Sequence, residues 1–433
     1  MIKTRYPGRR KCWIASLSAL LMSPGYSLAE DDTTQALEDF GDIMQFALPL
    51  TALGTTYVLG DEEGSKQFYK SFFTALGTTT ALKGVYSKLR PKSKSRTSFP
   101  SGHTTAAFAG AAFIDQRYGH SWGAIAYTAA GITGYSRVRS ENHFADDVVA
   151  GASIAIMSNW FWTTPYESNV SIMPTLMGDG LGLALTVTDQ VEEKNQRIDS
   201  NQLRPKFRYE LTMGGAGLKR NYITAPGATG TTFDLHDFER RDDPTTSANA
   251  MLEWYMTERS SLRFSFWPFE SRDNGQFAQP VNFAGSTFPA STDIDSAWRH
   301  YDFRTTYIYD VLPDANWHLG VGGSLSAQFT EIDLQTADNS VNASLDDTVV
   351  LPLLHASLGY RFQQDLLLFT EVNGVSLSED KLLDASLVLR YELDHYWDVG
   401  IGIGMYERNI DTADFKNDLR YNTAFISVGY TFY

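Results

Sequence analysis

Between residues 83 and 147 the chain carries basic, hydroxyl, imidazole and carboxylate side chains at spacings that suit one kind of chemistry. Lys83 is followed, after six residues, by Arg90-Pro91. Pro100-Ser101-Gly102-His103 comes next, and Ser136-Arg137, His143 and Asp147 complete the set. Lys83, Arg90 and Arg137 concentrate positive charge, and the two planar guanidinium forks fit phosphate oxygens. Ser101 and the backbone N–H groups of Gly102 and His103 stand where a loop enters a predicted helix, a place where a phosphate accepts hydrogen bonds. His143 and Asp147 are four residues apart, one turn on one helix face, so the carboxylate can hold a ring nitrogen and stabilise an imidazolium. Taken singly, a His-x3-Asp pair reads as a surface hydrogen bond, and Lys or Arg near Pro as a solvated turn. Convergence of all of them marks a functional site, and the chemistry they share is phosphoryl transfer.

The three elements, in this order and with these spacings, resemble the signature of the type 2 phosphatidic acid phosphatase superfamily, which includes class A acid phosphatases and vanadium haloperoxidases. The resemblance covers roughly residues 35–165. It implies His143 as the nucleophile that becomes a phosphohistidine, Asp147 as its orienting carboxylate, and His103 as the general acid for the leaving oxygen. It implies Lys83, Arg90, Ser101, Gly102 and Arg137 as the groups binding the phosphoryl oxygens. No metal and no cofactor is implied, because the cations neutralise charge that magnesium neutralises elsewhere. Glu141 and Asn142 depart from the family, where apolar residues are commoner before the nucleophile; an added carboxylate there weakens anion binding or shapes leaving-group choice.

The elements that hold these residues are expected to be helical. Segments from Asp42 to Leu59, Gln67 to Leu89, Thr104 to Tyr118, Trp122 to Tyr135 and Asp146 to Trp162 are rich in Ala, Thr and Gly. Charged residues, Pro, or many Gly and Thr interrupt them, so none is a strong membrane span. The expectation is a compact all-α bundle over residues 30–187. Ahead of it, residues 1–29 have the basic start, short apolar run and Ser27-Leu28-Ala29 ending of an export signal peptide, with an uncleaved anchor as the other reading. Residues 188–203 are polar and suit a linker.

From 204 to 433 the rhythm changes to period two. Leu383, Ala385, Leu387, Leu389 and Tyr391 alternate with Asp384, Ser386, Val388 and Arg390, and similar ladders give ten candidate strands. Tight turns alternate with long polar links, which is the pattern of an outer-membrane barrel; a soluble sandwich is the competing reading, since alternation alone does not tell lipid from core. The fold class is therefore α + β multidomain: a helical bundle, then an antiparallel transmembrane β-barrel of about ten strands. Twelve are possible if residues 170–187 join it. An even count places both barrel ends on one side, so the N-terminal domain is expected in the periplasm. The dilute helices fit such a route, since strongly apolar ones would be held in the inner membrane.

Composition agrees. Of 433 residues, 43% are hydrophobic and 20% charged, which suits folded protein rather than disorder. The net charge of −15 argues against a nucleic-acid partner. Cys12 is the only cysteine and lies in the leader, so disulfides and cysteine nucleophiles are excluded from the mature chain. The expected partners are a phosphate-ester or lipid-phosphate substrate, outer-membrane lipid around the barrel, and the export and barrel-assembly machinery. Two further readings stay open: a channel, receptor or adhesin with an accessory phosphatase-fold domain, and a vanadate-dependent haloperoxidase.

Overall fold

Among the described residues five helices come first, and small residues let them pack tightly. They are α1 (Glu30–Val58), α2 (Glu62–Tyr86), α3 (Gly102–Tyr118), α4 (His120–Arg139) and α5 (Ala145–Trp162). Asp61 caps α2 by accepting from the Gly64 N–H at 2.8 Å. Ala107, Ala111, Ala130, Ala150 and Ala155 are fully buried between helices. A Cβ at Gly110 would lie 2.5 Å from the α1 backbone at Leu48 and Pro49, and one at Gly151 would lie 2.6 Å from the Ser101 carbonyl. These close approaches build a core without long apolar runs. Among the described residues no helix is long and apolar enough to cross a membrane. The computed structural model describes residues 30–166, 170–177, 180–187, 204–224, 230–238, 245–312, 316–377, 380–412 and 415–433. The expected signal peptide (1–29) and linker (188–203) lie outside them.

Strands β1 (Val170–Met177) and β2 (Gly180–Val187) pair with each other in a separate hairpin. They do not join the barrel, so the twelve-strand alternative falls away. The barrel is β3 (Phe207–Thr224), β5 (Thr245–Tyr255), β6 (Ser260–Gln276), β9 (Asp293–Asp310), β10 (Trp317–Thr336), β11 (Asn342–Gln363), β12 (Leu366–Leu377), β13 (Asp380–Glu392), β14 (Trp397–Asp411) and β15 (Lys416–Phe432). All ten are antiparallel neighbours, and β15 closes on β3 from Phe432↔Phe207 to Lys416↔Thr224. Strand β4 (Thr232–Asp234) and the hairpin of β7 (Val281–Phe283) and β8 (Ser286–Phe288) belong to the long links.

The period-two pattern sorts side chains between lumen and outer wall. Inward residues form ion pairs: Arg208 with Asp398 at 2.7 Å, Arg263 with Glu371 at 2.6 Å, and Arg304 with Asp384 at 2.5 Å. Toward the long links an apolar cluster that includes Phe233, Phe277, Phe283, Phe288, Trp298 and Ile332 fills the mouth. Outward residues such as Leu325, Leu354, Leu358, Ile401 and Ile403 are apolar and exposed, the surface a lipid bilayer requires.

The bundle lies beside the barrel rather than beyond its short turns. Leu211 and Met213 of β3 and Ala248 of β5 share one buried core with Ala107, Phe113, Ala150 and Ile154. Ser153 of α5 and the Tyr209 hydroxyl are hydrogen-bonded at 2.6 Å, and Trp160 packs on Tyr209, Tyr430 and Phe432 at centroid distances of 5.4, 5.2 and 4.8 Å. The bundle and the barrel thus share a buried interface along the outer wall. Small residues on α5 and alternating apolar residues on β3 and β5 make complementary faces, and burying them against each other is favourable.

Candidate active site

Four chain segments meet at one end of the bundle: the end of α2 with the loop behind it, the start of α3, the α4–α5 loop, and the start of α5. The Ser101 N–H donates to the Asp147 carbonyl at 2.9 Å, tying the start of α3 to α5. The Arg137 carbonyl accepts from the N–H groups of Asn142 and His143 at 3.0 and 3.1 Å, folding the loop back on α4. Glu141 turns that corner with φ of +57°.

Asp147 is fully buried and surrounded by donors. Its Oδ2 accepts from Ser98 Oγ at 2.5 Å and from the Phe144 N–H at 2.9 Å, while Lys88 Nζ reaches its Oδ1 at 3.0 Å. His143, also buried, faces it with Nδ1 3.4 Å from Oδ2, longer than a good hydrogen bond. Burial opposes the charge on Asp147, but Lys88, His143 and Ser98 outweigh it and hold the carboxyl well below its usual range. Burial also lowers His143, against the pull of Asp147, with Arg90 and Lys83 close enough to lower it further.

His103, on the first turn of α3, lies with Nε2 3.4 Å from Asp42 Oδ1. Burial pushes it down to about 4, helped by Arg137, His143 and Arg90 and opposed by Asp42. Lys83 donates to the carbonyls of Thr97, at 2.7 Å, and Pro100. Burial brings it down to about 8, with Asp147 opposing and Arg90 adding to the fall. Arg90 Nε is buried without a hydrogen-bond partner, a donor suited to an anion. At Gly102 a Cβ would meet nothing nearer than Lys83 Cε at 4.0 Å, so space remains beside that ammonium.

All eight residues singled out from the sequence converge here, with two qualifications. The Ser101 hydroxyl is turned into the α3 cap, where it accepts from Thr104 Oγ1 at 3.0 Å. The Arg137 guanidinium donates to Asp42 Oδ1 at 2.8 Å and to the Glu38 carbonyl at 2.7 Å. Glu141 is bonded to Arg272 of β6 at 2.6 Å rather than to the site cations, and Asn142 donates to Glu38 Oε1 at 2.6 Å.

Sequence reasoning missed Lys88, Ser98, Asp42 and Asp146. Lys88 Nζ bridges Asp146, at 2.6 Å, and Asp147. The signal was the Asp146-Asp147 pair at the start of an otherwise uncharged helix: two adjacent buried carboxylates need a cation.

Residues 66–170 match the family model described as the PAP2 superfamily. They form a PAP2 superfamily domain. A curated relative, lipid A 1-phosphatase of Porphyromonas gingivalis, is 40% identical over 84 residues, 19% of each chain. The chain thus spans about a fifth of the length of that relative. Among solved structures, LpxE of Aquifex aeolicus is similar at 22% identity, covering 33% of this chain and 89% of its own, with a TM-score of 0.28. The outer membrane protease OmpT of Escherichia coli is similar at 7% identity, covering 52% of this chain and 97% of its own, with a TM-score of 0.39.

Proposed function

We propose that the protein is a metal-independent lipid phosphatase held in the outer membrane by its barrel. The observation that carries this reading is the His143–Asp147 pair. A buried imidazole presents Nδ1 to a carboxylate kept ionised by Lys88, Ser98 and a backbone N–H, and Lys83 and Arg90 stand beside the ring. Asp147 selects the tautomer and stabilises the imidazolium, which leaves Nε2 as the nucleophile. Nε2 attacks phosphorus, the bond from phosphorus to the leaving oxygen breaks, and His103 gives its proton to that oxygen. Water then loses a proton to His103 and attacks phosphorus, the P–N bond breaks, and inorganic phosphate leaves. Before phosphate binds, His103 is neutral near pH 7; an arriving phosphate dianion raises its pKa and supplies the needed proton affinity.

A lipid substrate is supported by the lipid A 1-phosphatase relative and by exposed Ile43, Phe46 and Val85 on the helices flanking the site. The even strand count supports both barrel ends, at Phe207 and Phe432, lying on the periplasmic side, and the apolar outer wall supports the membrane anchor. The channel reading has less behind it, because ion pairs and an apolar cluster occupy the lumen among the described residues.

The test is phosphate release from a diacyl lipid phosphate in detergent micelles, with chelator, by the full chain and by His143→Ala. Release by the wild type and none by the variant supports the reading. Equal rates, or release that chelator abolishes, overturns it.

A further inference from the structure

Accepting that the substrate is a lipid phosphate, the packing of bundle on barrel decides which leaflet supplies it. Helix α5 runs along the wall with a defined direction. Its C-terminal Trp160 touches Tyr209 and Phe432, beside the short-turn ends of β3 and β15, and Phe161 packs on Trp397 at the start of β14. At its N-terminus, the Ala145 N–H donates to Glu270 at 3.0 Å, and Asp146 accepts from Thr246 at 3.4 Å. Glu270 stands ten residues along β6 from Ser260 at the short turn. That is about 33 Å of strand, or about 25 Å of height at a tilt of about 40°. The 18 residues of α5 give about 27 Å of helix, an independent measure of the same height. Both are close to the roughly 25 Å apolar band of an outer-membrane barrel.

The outer wall changes character at that height. Outward residues of β6 run Leu262, Phe264, Phe266 and then Glu270, Arg272; those of β10 run Val321, Leu325, Phe329 and then Glu331, Asp333. Arg299 of β9 joins this collar, 2.8 Å from both Glu331 and Asp333 and 3.7 Å from Glu141. Glu141, two residues from His143, is bound to Arg272. The α4–α5 loop is thus bolted to the polar collar on the long-link side, while Asp61 and Arg117, paired with each other, mark the bundle's opposite end. Lys92, Lys94 and Arg96, all exposed, lie in the loop between Arg90 and Ser98 at the collar end.

We infer that the site opens at the cell-surface boundary of the outer membrane and takes phosphorylated lipids of the surface leaflet. Short turns face the periplasm and long links face outward in such barrels, so a site at the collar is about one membrane thickness away from the periplasm. Anionic head groups meet Lys92, Lys94 and Arg96, and acyl chains lie along Ile43, Phe46 and Leu50.

The sidedness is read without catalysis. In a Cys12→Ser background, single cysteines are placed at Lys92 near the site, Glu63 at the opposite end of the bundle, Ser340 in a long link and Gln364 in a short turn. Intact cells are treated with a maleimide coupled to a polymer too large for porins. Lys92→Cys and Ser340→Cys are expected to label in intact cells, and Glu63→Cys and Gln364→Cys only after the outer membrane is permeabilised. Labelling of Lys92→Cys only after permeabilisation, while Ser340→Cys labels directly, overturns the inference; Arg96→Cys repeats the test on the same loop should Lys92→Cys fail to assemble. Because labelling needs no turnover, a surface-labelled protein with no lipid phosphatase activity would sink the enzymatic reading and leave the sidedness standing. A periplasm-facing site in an active enzyme would do the reverse.

Discussion

Glu141 lies two residues before His143 in the chain yet bonds not to the site but to Arg272 of the barrel, at 2.6 Å. The pair joins the loop that carries His143 to the barrel wall. Both side chains are partly exposed, at 40% and 25%, so the pair contributes modestly, about 0.5 kcal/mol to stability. Its larger effect is positional. Arg272→Ala is expected to lower kcat severalfold with little change in KM, and Glu141→Gln to do the same. The double variant should be no worse than either single one, which a double-mutant cycle in kcat checks; fully additive losses would contradict the coupling.

Lys88 is the buried cation between two buried carboxylates. Lys88→Met leaves Asp146 and Asp147 without their counter-charge and should destabilise the bundle by about 3–5 kcal/mol, the usual cost of removing one partner from a buried ionic cluster. The variant Lys88→Met/Asp146→Asn removes one negative charge as well and should recover part of the loss. Denaturant unfolding followed by tryptophan fluorescence reads both. A Lys88→Met protein as stable as the wild type would show that the cluster is not formed.

Asp147→Asn keeps the volume beneath His143 and removes the charge that orients it. We expect kcat to fall by about 10²–10⁴ with KM nearly unchanged, because the interaction strengthens only as the imidazolium forms. Phosphate release under single-turnover conditions separates this from slow product loss. A drop confined to KM would assign Asp147 to binding instead.

Acid should loosen the site. Burial holds the folded-state pKa of His103 at about 4 and lowers that of His143, while in the unfolded chain both titrate near about 6.5. The unfolded chain therefore takes up protons first as pH falls. The stability tied to a neutral His103 is fully present above about pH 6.5 and is lost progressively toward about pH 4, and the neutral His143 ring adds a loss of the same sign as pH falls. The bundle's melting temperature should fall across that window, and less so in His103→Gln. Inorganic phosphate, which raises the pKa of both rings when bound, should restore more stability at pH 5 than at pH 8. A melting temperature flat from pH 7.5 to 4.5 would refute the burial argument.

The sequence by itself determined both architectures and the resemblance of the helical half to the PAP2 superfamily. Alternation such as Leu383-Asp384-Ala385 has only one regular solution, a strand with two unlike faces, and ten such ladders separated by short and long links close into a ten-strand barrel. His143 and Asp147 are close in the chain but do not share a helix turn: Asp147 sits in the first turn of α5, while His143 lies in the loop before it, held by its N–H to the Arg137 carbonyl. The tertiary structure decided what depends on long-range packing. Lys88 is visible only as one more lysine until the α2–α3 loop is folded over Asp146 and Asp147. Residues 170–187 pair as well with each other as they would with a barrel edge, and only the closure of β15 on β3 excludes them. The bundle's position beside the barrel was also illegible, because Leu211 and Met213 read alike whether lipid or α5 covers them. Apolar burial has no direction and does not name its partner; the partner is chosen by shape, here the small residues of α5 against the outer face of β3 and β5.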